Sequence, residues 1–301
     1  MIKDKIKLAE ILSGIMVIVI IVLLVIGLLY KKDDDSKTSE TSQPETFQPE
    51  SDLPAAVFSK DSWSKIASGA KKCINNPNSC PYKVGDEKEV DLGTYGKHMV
   101  RIANVSTPDE CKQNNFSQSA CGFVVEFTDV IALRDMNSTE TNKGGWPESD
   151  MYKFLNDNNN TNSLINALPN ELKNIIIDTR TVSGHGSNDA NNFTSIDKLY
   201  LLSTAEVWEN LSTDYNAPAN LINYDTARDK TRQLDYYKKE GVNSNNYKKA
   251  IKKNGESASN WWLRSAGLSN NNKYCNTYMN GYWYSYTANS LLGVSPAFRI
   301  G

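Results

Sequence analysis

Residues 261–265 read Trp261-Trp262-Leu263-Arg264-Ser265, and residues 293–301 read Gly293-Val294-Ser295-Pro296-Ala297-Phe298-Arg299-Ile300-Gly301. Between them lies a stretch that is rich in Asn, Tyr, Ser and Gly and carries almost no charge. Apolar and aromatic runs bounded by polar turn residues are typical of β-strands. The two ends therefore predict strands of one folded unit, and the stretch between them predicts an exposed loop or hairpin.

The chain upstream of this unit mixes helical and extended patterns. Residues 55–70 carry apolar side chains at helical spacing, and residues 123–133 read as the strongest strand. Residues 198–207 read as a buried strand that runs into a helix beginning at Ser203 or Thr204. Because the pattern has no regular βαβ alternation, it predicts an α+β fold class.

Composition divides the chain into four parts. We predict a cytoplasmic tail at residues 1–10, a transmembrane helix at 11–30, a flexible linker at 31–54 and one extracellular α+β domain at 55–301. The linker is rich in Asp, Ser, Thr, Glu, Gln and Pro, so it cannot bury enough apolar area to offset the entropy of ordering it. It is predicted to be a disordered stalk.

The predicted transmembrane helix depends on length and flanking charge. Residues 11–30 are almost entirely apolar, and a helix of this length, at about 1.5 Å per residue, covers the ~30 Å hydrocarbon core of a bilayer. Lys3, Lys5 and Lys7 precede the segment, which predicts a cytoplasmic N-terminus and a single-pass protein of the cell membrane. A cleaved signal peptide is the alternative, although its apolar region is shorter, about 7–15 residues.

The sequence contains five cysteines, at positions 73, 80, 111, 121 and 275. Cys73 and Cys80 close one short polar loop, Cys111 and Cys121 close another, and neither loop has a His nearby to complete a zinc site. In an oxidising compartment these pairs predict two local disulfides, with Cys275 left over. The alternative is that all five are free thiols.

Two arginines lie inside apolar segments and need partners if they are buried. These are Arg264 and Arg299, and the carboxylates that we expect to pair with them are Glu126 and Glu206. We predict structural ion pairs.

No catalytic constellation stands out in the sequence. His185 lies in a turn rich in Gly and Asn, Cys275 has no base near it in sequence, and the Asn- and Asp-rich loops lack EF-hand spacing. The formal net charge of −2 gives no basic excess for nucleic acid. We therefore predict a protein that is not an enzyme and that has no metal, no cofactor and no nucleic-acid partner.

Three segments, in order, resemble a domain family of unknown function that is common in surface-exposed proteins of Gram-positive and other gut-type bacteria. They are residues 144–156, which include Trp146-Pro147-Glu148-Ser149, residues 197–206, which include Leu201-Leu202-Ser203, and residues 261–300. The likeness covers about residues 84–301. The family pattern ends in Gly-Val-Arg-Pro-Ala, and Ser295 stands where that pattern has Arg.

Two weaker resemblances concern the ends of the chain. The closing pattern is distantly similar to the C-type-lectin-like fold of formylglycine-generating-enzyme relatives, which implies that fold and, as one alternative, a cryptic enzyme. Glu10 before an apolar segment is similar to the N-terminal helix of type IV pilins and pseudopilins, although no Gly precedes Ile6 for processing. This second likeness implies a structural subunit of a surface filament.

The Asn- and Tyr-rich stretch predicts a binding face. Tyr, Trp and Asn supply aromatic area and adaptable hydrogen bonding at low entropy cost. The candidate ligand-binding residues are Tyr274, Asn276, Tyr278, Asn280, Tyr282, Trp283, Tyr284 and Tyr286. We expect a membrane-anchored extracellular domain that binds a surface glycan or protein without catalysis.

Overall fold

The computed structural model describes residues 55–209 and 224–301, and these residues belong to one compact unit. Helix α1 spans Trp63–Asn75 and is capped by Ser62, whose Oγ accepts a hydrogen bond from the backbone N–H of Lys65. Buried residues recur along it at helical spacing, so one face packs on the core. Six shorter helices follow within the described residues: α2 Gly145–Glu148, α3 Asp150–Asn156, α4 Leu164–Ala167, α5 Asn170–Lys173, α6 Thr204–Val207 and α7 Asp235–Lys239.

The first sheet has five antiparallel strands in the order β1-β2-β3-β14-β5. Their bounds are β1 Glu87–Asp91, β2 Lys97–Asn104, β3 Val124–Phe127, β5 Ile176–Ile177 and β14 Ala297–Ile300. Strand β14 lies between β3 and β5, and all four residues of β3 are buried. The last strand of the chain is therefore an interior strand of a sheet built from upstream residues.

The second sheet also has five strands, in the order β12-β11-β10-β13-β4. Their bounds are β4 Ala132–Arg134, β10 Trp261–Ala266, β11 Lys273–Thr277, β12 Trp283–Thr287 and β13 Leu292–Val294. The pair β10–β13 is parallel, and the other pairs are antiparallel. Two hairpins complete the strands: β6 Thr179–Ser183 with β7 Phe193–Asp197, and β8 Lys252–Asn254 with β9 Ser257–Ser259.

Residues 261–301 fold with the upstream chain as one unit, but as five strands rather than two. The segment supplies β10 to β13 of the second sheet and then β14 of the first sheet. Ser295 and Pro296 form the crossing between the two sheets. Side chains from both sheets, including Trp261 and Phe298, belong to one hydrophobic core.

The structure corrects three predicted elements. Residues 123–133 contribute to two strands, β3 and β4, in different sheets, because the chain leaves the first sheet after Phe127. Residues 198–202 make a single bridge, between Tyr200 and Ala297, rather than a strand. The helix predicted within residues 55–70 spans Trp63–Asn75, so it starts and ends later than predicted. Helix α6 begins at Thr204 after Ser203, as predicted.

The predicted fold class is corrected. Across residues 55–209 and 224–301, no helix is long and apolar enough to cross a membrane. The predicted architecture was a transmembrane helix joined by a stalk to an α+β domain. Of this architecture, the described residues support the α+β domain. The predicted localisation, single-pass in the cell membrane with an extracellular domain, is wrong on the same finding. The segments assigned to residues 1–10, 11–30 and 31–54 lie outside the described residues.

Candidate binding surface

The hairpin of β11 and β12 positions the predicted binding residues. Its five cross-strand pairs run without a register shift, from Lys273 opposite Thr287 to Thr277 opposite Trp283. The turn is closed by Asn280, whose Oδ1 accepts a hydrogen bond from the backbone N–H of Tyr282 at 2.9 Å. Gly281 has a φ of 89°, and a Cβ there would lie 2.1 Å from the carbonyl oxygen of Tyr247. Only glycine fits this turn without displacing its neighbour.

Three tyrosines form what we call the tyrosine surface: Tyr278, Tyr284 and Tyr286. The ring centroids of Tyr278 and Tyr284 are 6.0 Å apart, and those of Tyr284 and Tyr286 are 5.3 Å apart. Tyr284 is 52% exposed, and the other two side chains are half-buried. Because side chains alternate along a strand, Tyr284 and Tyr286 lie on the same face of the sheet. The three rings therefore make one continuous aromatic surface.

Two of the eight predicted binding residues are fully buried and do not reach this surface. Tyr274 and Asn276 lie directly opposite Tyr286 and Tyr284 on β11, but both side chains are fully buried. The Tyr274 hydroxyl donates a hydrogen bond to the carbonyl oxygen of Gly145 at 3.0 Å, so helix α2 covers this part of the sheet. Both residues are removed from the predicted face, since a fully buried side chain cannot meet a ligand at the surface.

Tyr282 and Trp283 pack beside the hairpin rather than on the tyrosine surface. The Tyr282 ring lies 5.0 Å from the Tyr247 ring, and the Trp283 ring lies 5.8 Å from the Tyr224 ring. Trp283 precedes Tyr284, so its side chain points to the opposite face of the sheet. Of the predicted set, the structure brings together Tyr278, Tyr284 and Tyr286, with the exposed Asn280 at the adjoining turn.

Both predicted disulfides are present. One joins Cys73 to Cys80, the other joins Cys111 to Cys121, and Cys275 is a buried free thiol. Burial raises the pKa of the Cys275 thiol well above its ordinary value, with a further contribution from Asp225. A thiol held in its neutral form is a poor nucleophile, so Cys275 is not set up for covalent catalysis.

Arg264 and Glu206 form a fully buried, two-pronged ion pair, as predicted. The Arg264 Nη1 and Nη2 atoms each lie 2.7 Å from a Glu206 carboxylate oxygen. The backbone N–H of Ser203 and the hydroxyls of Ser119 and Thr231 also donate to that carboxylate. Burial acts to raise the pKa of Glu206, but Arg264 outweighs it and holds the pKa below its ordinary value. The pair is a satisfied structural network.

Comparison with known protein families identifies the family of this chain. A family model described as a domain of unknown function (DUF6273) matches residues 124–301, which is more than half of the chain. This chain belongs to the DUF6273 family. No curated protein and no solved structure matches it. The lectin-like and pilin-like resemblances therefore receive no support from known proteins, and the family match starts later than the predicted residue 84.

A second buried charge cluster, which joins Arg101 to residues of the DUF6273 region, escaped prediction. Glu126 accepts from Arg101 Nε at 2.9 Å, Lys252 Nζ at 2.8 Å and the Tyr237 hydroxyl at 2.9 Å. Lys252 Nζ also bonds Ser295 Oγ at 2.9 Å. Lys252 therefore connects strand β8 to Glu126 and to the crossing between the two sheets. Neither the length nor the polarity of residues 252–254 gives a sequence signal for this burial.

The pKa values of the Glu126 cluster follow from its composition of two cations and one carboxylate. Burial acts to raise the pKa of Glu126, but Arg101 and Lys252 outweigh it and hold the pKa below its ordinary value. Burial lowers the pKa of Lys252 to about 8; Glu126 opposes this shift, and Arg101 adds to it. The lowered pKa of Glu126 and the lowered pKa of Lys252 have one cause: a single carboxylate cannot fully compensate two buried cations.

Arg299, the other arginine that was predicted to need a partner, has no carboxylate partner among the described residues. Its side chain is half-buried, its Nε is buried without a hydrogen-bond partner, and Glu126 is bound instead to Arg101 and Lys252. Burial lowers the pKa of Arg299, and Tyr200 opposes this shift without outweighing it. The predicted ion pair of Arg299 is therefore wrong.

The histidines show no catalytic geometry. His185 Nδ1 lies 2.9 Å from the carbonyl oxygen of Gly186. His98 Nδ1 lies 3.1 Å from both oxygens of Asp129, and its Nε2 lies 2.9 Å from the carbonyl oxygen of Tyr95. Between residues 55 and 301, excluding 210–223, no group of three His, Cys, Asp or Glu side chains is placed to hold a metal.

A polar cleft of about 540 Å³ beside Trp208 is the second surface feature of the domain. Its walls come from distant parts of the chain: Glu110, residues 205–209 and residues 225–238. Both acidic and basic side chains line it, and Arg228 donates to the carbonyl oxygen of Trp208 at 3.1 Å. The cleft could not be predicted from the sequence, because its residues share no local motif.

Proposed function

We propose that this DUF6273 domain binds a glycan, without catalysis, on the tyrosine surface. The observation that supports the proposal is the row of three adjacent rings of Tyr278, Tyr284 and Tyr286, with Tyr284 52% exposed. Aromatic side chains present a large apolar surface with a polar edge, which suits the C–H-rich face of a sugar ring and its hydroxyls. Asn280, exposed at the adjoining turn, adds an amide that can hydrogen-bond those hydroxyls.

A glycan fits this surface better than a protein partner does. Stable protein interfaces bury about 800 Å² per partner and contain a well-packed apolar centre. Next to Tyr284, the only other largely exposed apolar side chain of the hairpin is Met279, at 45%. Strand β12 carries no charged residue, so the surface also lacks the ionic groups that would select an acidic or basic protein. The small, uncharged aromatic surface favours a neutral sugar.

The test is binding of the full-length protein to an array of oligosaccharides, followed by titration of the best one. Tyr284→Ala should weaken binding by roughly 5- to 30-fold, since an aromatic contact at the centre of a site contributes on the order of 1–2 kcal/mol. Leu133→Ala is the matched control. It removes a side chain of similar exposure, 48%, from β4 at the opposite edge of the same sheet.

Two outcomes would reject the proposal: no oligosaccharide retained by the wild-type protein, or equal affinity of the Tyr284→Ala and wild-type proteins. Capture of a protein without any glycan would favour the protein-ligand alternative. The filament-subunit alternative depends on residues outside the described ranges, and the enzyme alternative stays a prediction.

A further inference from the structure

The four outer strands of the two five-stranded sheets differ in how their free edges are protected against pairing with a further strand. Strand β1 carries four charged residues among its five, β5 is only two residues long, and β4 is three residues long and ends in Arg134. Strand β12 has five residues, no charge, no proline and a regular register with β11. Proteins normally block exposed sheet edges with charge, proline, bulges or short length. Strand β12 has none of these devices.

On its outer side, β12 pairs with no other strand of the described residues. Tyr278 N–H donates to the carbonyl oxygen of Tyr282, and Ala288 N–H donates to that of Asn272. In an antiparallel pair the hydrogen-bonded positions alternate, so Tyr284 and Tyr286 bond to β11 and the groups of Trp283, Ser285 and Thr287 point outward. Of these, the Thr287 carbonyl oxygen accepts from the Ser290 N–H at 2.9 Å. Among the described residues, β11 alone pairs with β12. The outward groups form a short template for another strand.

We infer that β12 pairs with β12 of a second copy of this chain, antiparallel and about a two-fold axis through Ser285. The strand reads Trp283-Tyr284-Ser285-Tyr286-Thr287, which is nearly symmetric about its centre. In this register Ser285 faces Ser285 of the second copy, in a hydrogen-bonded pair. Tyr284 then faces Tyr286 of the second copy, and the converse pair forms by symmetry.

The two copies gain contacts without meeting like charges. Two aromatic cross-strand pairs form on one face, and such pairs stabilise antiparallel strands. The outward N–H and C=O groups of Ser285 and Trp283 find partners that the described residues do not give them. Edge pairing leaves both faces of the sheet open, so it joins two tyrosine surfaces into one. It does not depend on whether those surfaces bind a glycan.

The first test measures the mass of the full-length protein in solution over a dilution series. The wild type should shift from the monomer mass to twice that mass as concentration rises. Ser285→Pro removes the central outward N–H but is compatible with an edge strand, so it should weaken association by at least about tenfold. Ser285→Ala keeps that N–H and should associate like the wild type. A wild type that stays monomeric, or a Ser285→Pro variant that associates equally well, overturns the inference.

The second test fixes the register and does not need the proline variant to fold. Directly opposite residues of a hydrogen-bonded antiparallel pair have Cα atoms about 5.5 Å apart, within the range of a disulfide. Ser285→Cys should therefore form a cross-linked dimer rapidly on mild oxidation. Thr287→Cys is the matched control, because Thr287 faces Trp283 of the second copy and lies far from its own counterpart. Equal cross-linking of the two variants, or none of Ser285→Cys, contradicts the two-fold register.

Discussion

At the scale of single residues, Arg264 and Arg299 occupy opposite environments although both lie inside apolar strands. Arg264 is fully buried, and its guanidinium donates hydrogen bonds to both Glu206 carboxylate oxygens and to the carbonyl oxygens of Val182 and Leu201. Arg299 has no ion pair among the described residues. Removing one partner of a buried pair leaves the other charge uncompensated, which is the costly event.

Arg264→Met should therefore lower the free energy of unfolding by about 3–5 kcal/mol, because Glu206 stays buried without its cation. Arg299→Met should change it by less than about 1 kcal/mol, since no bonded partner is left behind. Urea unfolding of the full-length protein measures both. Adding Glu206→Leu to Arg264→Met should recover part of the loss. Equal costs for the two arginine variants would contradict this account.

At the scale of elements, the two disulfide loops differ in what they hold. The Cys111–Cys121 loop supplies Ser119, whose Oγ bonds Arg264 and Glu206, and its Phe116 and Gln113 carbonyls accept from Arg180. The Cys73–Cys80 loop closes the exposed turn after α1. Both loops are short, with sequence separations of 10 and 7, so the chain-entropy contributions of the two disulfides are similar.

Replacing Cys111 and Cys121 by Ser should therefore cost more stability than replacing Cys73 and Cys80. We expect roughly 2–4 kcal/mol for the first pair and a smaller loss for the second. Urea unfolding of the two double variants gives the comparison directly. A larger loss from the Cys73 and Cys80 variant would show that the Cys111–Cys121 loop does not stabilise the Glu206 network.

Local features of this fold could be predicted and non-local ones could not. The disulfide pairs and the start of α6 follow from residues close in sequence, as does the need of Arg264 for a carboxylate. Which tyrosines of the hairpin are buried depends on α2, whose Gly145 meets Tyr274 from 129 positions away. The division of residues 123–133 between two sheets likewise depends on strands from the end of the chain. Alternation along a strand is visible in a sequence, but what covers each face is not.

At the scale of the whole molecule, the Glu126 cluster connects elements that are far apart in the chain. Glu126 belongs to β3 of the first sheet, Lys252 to β8, Tyr237 to α7, and Ser295 to the crossing between the sheets. Lys252 is 1% exposed, and its ammonium donates hydrogen bonds to Glu126, Ser295 and the carbonyl oxygen of Phe127. A change in its protonation therefore affects the global free energy of unfolding.

This connection predicts a pH dependence of stability. The pKa of Lys252 is about 8 in the folded protein and near the ordinary 10.5 in the unfolded chain. Between these values the unfolded chain binds more protons, so the free energy of unfolding rises with pH, by up to about 3 kcal/mol. Above pH 10 the rise is opposed, because Tyr200 and Tyr237 have raised pKa values and ionise more readily when unfolded.

Comparison of variants between pH 8 and 10 separates the two effects, since the buried tyrosines act mainly above that range. The stability of the wild type relative to Lys252→Met should increase as pH rises from 8 to 10, measured by urea unfolding at each pH. Lys253→Met is the matched control: Lys253 is the next residue and is exposed, so that variant should keep the wild-type slope. If Lys252→Met shows the same slope as the wild type, the buried ammonium is not the titrating group, and the cluster does not link pH to folding.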